Sequence, residues 1–240
     1  LLRNMPSTID TDTSGMLSAI FGTVYVMAGV IITVVPLGLS AAVYLEEFAD
    51  KEKWYVRLIE LNIQNLAAVP SIVFGILGLA FIVRGPLNLG FVAYAGSLTL
   101  SLLVLPTVIL TSREALRSVP PSIRQASMGL GATKWRTIWH QVLPSAVPGV
   151  VTGTILALSR AIGETAPLLL VGATVFVTYA PDGMFEGAYT VLPVQIFNWA
   201  VRPQEEFRIL AAAGILVLMG VLLAMNSIAI WIRNKFAKEL

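Results

Sequence analysis

The sequence predicts an all-α, polytopic transmembrane helical bundle. Three observations carry that expectation. Several unbroken apolar runs exceed the ~20 residues that cross a bilayer as a helix. Only 12% of the 240 residues are charged and 56% are hydrophobic, whereas a soluble domain carries about a quarter charged residues. The mean hydropathy is +0.80. The alternating segments of ~10 residues that build a membrane barrel do not show in these runs.

Five apolar segments are expected to span: Met16–Leu45, Leu61–Val83, Tyr94–Ser112, Ser145–Val177 and Phe207–Ile232. Glycine and proline interrupt them (Pro36, Pro70, Gly75, Gly78, Pro106, Pro167). Bilayer helices tolerate such residues when neighbours satisfy the freed backbone groups. No linker, repeat or low-complexity tract divides the chain, so residues 1–240 read as one membrane domain. The chain begins at Leu1, with no charged n-region or cleavage site, so no signal peptide is expected. It contains no cysteine, which leaves disulfides and redox compartment uninformed.

Lysine and arginine set the expected orientation. One set of connections, Glu46–Glu60, Arg113–Leu143 and the tail Arg233–Leu240, carries eleven of the 16 basic residues. The other carries Arg3, Arg84, Arg202 and Arg208. The richer set belongs in the cytoplasm, which places the C-terminus there too. The net charge of +2 and pI near 9.0 are explained by that bias, and no nucleic-acid partner is expected.

The connection Arg113–Leu143 is the longest on the basic side. Pro120 and Pro121 stop any helix before them, and Pro121 suits a first helical turn. Ser122–Met128 is expected to be a short helix, ended by Gly129 and Gly131. Thr133–Val142 is expected to lead helically into the next span at Pro144. Such a helix could move as a rigid body. Equally, the segment could be a surface connector anchored in the lipid interface by Trp135 and Trp139.

In the fourth segment, Arg160 and Glu164 are four residues apart and expected on one helix face. Arg160 is expected about midway along Ser145–Val177, roughly 20 Å from either end. A charge at that depth costs at least ~3 kcal/mol, which pairing reduces. Two readings stay open. The pair is a structural tie between packed helices, or it is an anion site, since a guanidinium fork matches phosphate oxygens. Gly163 and Ala161 would let a neighbouring helix approach. Ser71, Thr107 and Thr165 carry hydroxyls beside prolines or Glu164. They could reach an anion, though bonding back to their own helices is favoured. Gln64, Asn65 and Asn226 read as interhelical contacts. Segment Tyr189–Val201 reads as lying in the outer interface or folding back partway.

Other chemistry is not signalled. The 240 residues hold no G-x-x-x-x-G-K-[ST] phosphate loop, so nucleotide hydrolysis is expected on another subunit and the chain is not expected to be an enzyme. A single histidine, His140, and no cysteine offer no metal site by spacing. His140 reads as an interfacial polar residue, not a base. No cofactor is expected.

The loop Gln125-Ala126-Ser127, three residues, Gly131, nine residues, Gln141-Val142-Leu143-Pro144 resembles the EAA loop of ATP-binding-cassette importer permeases. The family's spacing is kept. Gln125, Ser127 and Gln141 depart from its usual Glu, Ala and Ile. The stretches "PLGLSAAVYLEEFA", "VPSIVFGILGL", "SRAIGETAPLLL" and "VLPVQIFNWAVRPQEEF" resemble the PstA-type branch of phosphate-importer permeases. The resemblance implies the type I importer permease fold, usually with six spans, so that a first span would be missing here. It implies that 113–144 is a cytoplasmic coupling loop that docks on an ATPase subunit. Ser122, Arg124, Gln125, Ala126, Ser127, Gly129, Gly131 and Ala132 would serve that coupling. Arg160, Glu164 and Thr165 would line the phosphate path, and Ser71, by its own hydroxyl, is a further candidate there. Implied partners are a PstC-like second permease, PstB-like ATPase subunits, an extracytoplasmic phosphate-binding protein and membrane lipid, in a bacterial inner membrane. The residues alone leave a permease for sulfate or molybdate open. An ATP-independent carrier or channel fits the loop spacing poorly.

Overall fold

A computed structural model describes residues 1–6, 14–173, 177, 179 and 183–236, apart from the side chains of 232 and 236. Lys238 and the end of the basic tail lie outside the described residues, as does part of the Ser145–Val177 segment. The described residues are mostly helical, with one isolated bridge between Ala173 and Tyr189 and no strand.

The helices are α1 (Leu17–Val43), α2 (Trp54–Ala67), α3 (Ser71–Leu77), α4 (Ala93–Arg117), α5 (Pro121–Gly129), α6 (Lys134–Thr137), α7 (Leu143–Ile162), α8 (Ala166–Leu170), α9 (Leu192–Ala200) and α10 (Glu205–Phe236). Three wider π-turns extend them, at Tyr44–Phe48 after α1, Gly78–Val83 after α3 and Ile138–Val142 between α6 and α7. Among the described residues, four continuous helices are long and apolar enough to cross a membrane: Leu17–Phe48, Ala93–Arg117, Lys134–Ile162 and Glu205–Lys235.

Two of the five expected spans are corrected. Leu61–Val83 is not one helix. It breaks before Pro70, and the helices on either side meet at 105°; a fifth crossing exists only if this bent pair is one. Ser145–Val177 also breaks. Its helix stops at Ile162, and α8 begins at Ala166. Pro167 has no N–H for the i→i−4 bond and Gly163 is a poor helix former, so the helix stops where both act.

The chain groups into two compact units. The first comprises Leu1–Thr33, Val69–Leu103 and Ser159–Ala224. Its core holds Met16, Ala19, Leu192, Trp199, Phe207 and Ala211. Small residues bring backbones together here. A Cβ on Gly22 would collide with the Thr190 carbonyl, and one on Gly75 would lie 2.7 Å from Pro167 Cα. Helix α9 is another correction. Leu192, Val194, Gln195, Ile196, Asn198 and Trp199 are all buried, so Tyr189–Val201 is a core element and not an interfacial segment. Pro193, at the start of α9, sits where a missing N–H costs nothing. Thr23 Oγ1 accepts from Leu192 N at 3.0 Å, tying α1 to that start.

The second unit comprises Val34–Ala68, Val104–Leu158 and Met225–Leu240. Ala42, Leu116, Val119, Val142 and Ala146 form one apolar cluster. Leu45, Val56, Ile63 and Ile109 form another, fixing α2 beside α4. Gly38 and Gly149 allow close approach to Val108 and Ala115.

Candidate functional site

Arg160 occupies the last turn of α7, at the end of that span and not midway along it. Beyond it the chain turns tightly, with Gly163 N donating to Arg160 O at 3.1 Å and Glu164 N to Ala161 O at 3.2 Å. Glu164 therefore lies past the helix end. The pair still forms, Nε to Oε1 3.7 Å, with Arg160 56% exposed and Glu164 17% exposed. At that distance it is an ion pair without a hydrogen bond. The guanidinium keeps most of its donors free for another group, among the described residues.

Thr165 is the N-cap of α8 and makes no side-chain cap bond. Ser71 is the first residue of α3, directly after Pro70. Helices α3 and α8 pack together, with Gly75 against Pro167 and Leu170. The fold thus pairs the two short helices that follow the two breaks. Ser71 and Thr165 each begin one of them. The expectation that Ser71, Thr107 and Thr165 bond back to their helices is not met among the described residues. Thr23, Thr33, Thr99, Ser101 and Thr152 do so instead, each to the carbonyl four residues earlier. Gln64 and Asn65 are exposed.

The second candidate site is α5 and its surroundings. The helix expected at Ser122–Met128 is present as Pro121–Gly129, with Pro121 in its first turn and no buried residue. Gly131 has φ +87 and ends it, while Ala132 N donates back to Ser127 O at 3.2 Å. Thr133 caps α6 by accepting from Arg136 N at 3.3 Å. Ser122, Gln125, Ala126 and Gly129 of α5 are exposed. Two residues of the expected coupling set turn inward. Ser127 shares a hydrogen bond with Thr137 at 2.9 Å, and Arg124 bonds to Glu47 at 2.6 Å. A groove of about 510 Å³ runs beside α5, lined by Ile123, Ala126, Ser127, Leu130, Ala132, Arg136, His140 and Gln141. His140 Nδ1 lies 3.1 Å from Arg136 O, on the exposed side. No group of three His, Cys, Asp or Glu residues able to hold a metal occurs among the described residues.

Next to it, the Trp135 and Trp139 rings meet at a tilt of 59°, 5.5 Å between centroids, and Lys134 Nζ lies 5.3 Å from the Phe48 ring. These exposed aromatics line a second groove with Tyr44, Val43 and Leu143. Their amphipathic rings suit the level where acyl chains meet headgroups.

Sequence reasoning missed three features. Leu130, 91% exposed, is the bare apolar tip of the α5 turn; an isolated leucine between two glycines was the available signal. Glu46 and Glu47, at the end of α1, are almost fully buried in ion pairs. The signal was a double carboxylate straight after a long apolar run. Gln195 is buried with neither side-chain polar atom bonded, and nothing in its local pattern marks it.

Comparison with known proteins places this arrangement. Residues 34–238 match the family model described as binding-protein-dependent transport system inner membrane component. The chain is 37% identical over 223 residues to "Phosphate transport system permease protein PstA 1" of Mycobacterium tuberculosis, covering 91% of this chain and 70% of that protein. It is 34% identical over 239 residues to "Phosphate transport system permease protein PstA" of Yersinia pestis, covering 100% and 78%. Its fold is that of a chain in the inward-facing MetNI methionine ABC transporter, with TM-score 0.70 and 16% identity over 92% of this chain and 97% of the other. A chain of a bacterial ABC transporter importing alginate aligns with TM-score 0.63 and 15% identity over 91% and 79%. Components of this family work with an ATPase and a substrate-binding protein and are not themselves catalytic. By these matches and its apolar helices, the chain belongs to the binding-protein-dependent transport system inner membrane components, as a multi-pass permease subunit of an ABC importer.

Proposed function

We propose that this permease carries phosphate, and that its 240 residues act as one permease domain forming half of the pore. The observation that carries the reading is the guanidinium of Arg160. It stands at a break in a spanning helix, 56% exposed and only loosely held by Glu164 at 3.7 Å. A fork with free donors can take a tetrahedral oxyanion bidentately, and a nearby carboxylate weakens the hold enough for release. The names of the M. tuberculosis and Y. pestis relatives support phosphate over other oxyanions. Thr165 and Ser71, with hydroxyls not bonded among the described residues, add donors along the same path.

The partners in this reading are a PstC-like second permease, PstB-like ATPase subunits and an extracytoplasmic phosphate-binding protein. Helix α5, in the cytoplasmic loop 113–144, docks on the ATPase through Ser122, Gln125, Ala126, Gly129 and the tip Leu130. Gly131 and Ala132 shape the turn behind them. The C-terminus is cytoplasmic, consistent with its basic residues, and Trp135 and Trp139 rest at the lipid interface.

The test is uptake of radiolabelled phosphate into vesicles that hold the full complex, in competition with sulfate and molybdate. Competition by phosphate alone supports the assignment. Equal competition by sulfate overturns it in favour of a broader oxyanion permease, and uptake that persists without ATP overturns the importer cycle.

A further inference from the structure

Two adjacent carboxylates close the first long helix, and they have different tasks. After Val43 the chain widens into the π-turn Tyr44–Phe48. Such turns often mark functional positions within helices. The side chains of Glu46 and Glu47 are 6% and 7% exposed. Glu46 binds Lys51 at 2.6 Å and Arg117 at 3.1 Å, with Arg113 at 3.5 Å. It ties α1 to α4. Glu47 is reserved for α5.

Arg124 of α5 donates to Glu47 through Nη2 at 2.6 Å and Nε at 3.2 Å. Its Nη1 donates to Val119 O at 2.6 Å, and Nη2 also to Leu116 O at 2.9 Å. Leu116 is in the last turn of α4, where helix carbonyls lack intrahelical partners. One guanidinium therefore joins three pieces of chain: the turn after α1, the end of α4 and α5. Helix α5 has no buried residue of its own. Its other attachments include the partly buried Ile123, the Ser127–Thr137 hydrogen bond and packing on α6 and the π-turn after it. A buried ion pair adds little net stability against a well-packed apolar replacement. What it does supply is a fixed geometry, and only a planar fork with several donors reaches a carboxylate and two carbonyls at once.

We propose that Arg124 and Glu47 form a strap that makes α5 and the end of α1 move as one body. A displacement of α5 during the ATP cycle is thereby delivered to the spanning helix α1. Both are positioning residues, and Arg124 serves coupling from inside the chain, not by touching the ATPase. The proposal rests on the reading of α5 as the docking helix.

The experiment uses the full complex in proteoliposomes, with Glu47→Gln, Arg124→Lys and the double variant. Three quantities are read: retention of the ATPase subunits, ATP hydrolysed per phosphate taken up, and a spin-label distance. The labels sit at Met128→Cys, an exposed position of α5 outside the docking set, and at Leu37→Cys in the otherwise cysteine-free chain. The ATPase is expected to stay bound. ATP per phosphate is expected to rise at least tenfold in each single variant and no further in the double, since both break one strap. The label distance, single throughout the cycle in wild type, is expected to broaden in the variants. An unchanged ratio, a double variant equal to the product of the singles, or loss of the ATPase overturns the strap. If the wild-type complex hydrolyses ATP but moves no phosphate, the substrate reading fails, and the label distance alone judges the strap.

Discussion

Arg160 and Glu164 face each other across the end of a helix, Nε to Oε1 3.7 Å, with the arginine the more exposed of the two. An ion pair that served only to tie the chain would not need the fork, since lysine can make a point-charge contact. Arg160→Lys is therefore expected to lower phosphate uptake at least tenfold, about 1.4 kcal/mol or more, with membrane level and ATPase binding unchanged. The double variant Arg160→Ala, Glu164→Ala removes both charges of a partly exposed pair, worth about 0–1 kcal/mol of stability. It is expected to assemble and to move no phosphate. Wild-type uptake by the double variant would make the pair scaffold.

Gly131 ends α5 at φ +87, and a Cβ there would meet nothing within 4 Å. Any cost of substitution is thus backbone strain, about 1–3 kcal/mol. Gly131→Val is expected to stay in the membrane while ATP hydrolysis uncouples from uptake. Gly131→Asn, which tolerates positive φ better, is expected to retain more coupling. Equal coupling in the two variants, measured as ATP per phosphate, would count against the turn.

Gly75 packs α3 directly on α8. A Cβ would lie 2.7 Å from Pro167 Cα, a backbone atom that cannot rotate away. Gly75→Val is expected to push the helices apart, to lower the thermal midpoint of the purified complex and to reduce uptake. A variant with unchanged midpoint and uptake would show that the two short helices need not touch.

Two buried residues of α9 should respond in opposite directions. Trp199 is 1% exposed in an apolar cluster, so Trp199→Ala is expected to destabilise by about 3–5 kcal/mol. Gln195 is fully buried with its amide unbonded, so Gln195→Leu removes an unsatisfied group and is expected to be neutral or stabilising. Thermal unfolding of the two variants in the same detergent checks the sign of each.

The sequence by itself determined the class of molecule. Apolar run length and scarcity of charge demand a bilayer, where backbone groups find no water and only helices or closed barrels span, and long runs without alternation leave helices. It also determined the local shape of the α5 turn. Pro121 and Gly131 act through their own backbone constraints, which need no neighbour to be felt. What it did not determine were the breaks at Val69–Pro70 and Gly163–Thr165, because bilayer helices can carry proline and glycine when neighbours compensate. Only the packing of α3 on α8 decides whether they do. The burial of α9 was hidden for a similar reason, since an apolar segment of that length fits a membrane surface as well as a core. The ties of Glu46 to Arg117 and Glu47 to Arg124 join residues 71 and 77 positions apart. No local period reports such a meeting. It exists only once the ends of α1, α4 and α5 have been brought together, and burial there demands that each charge find its partner.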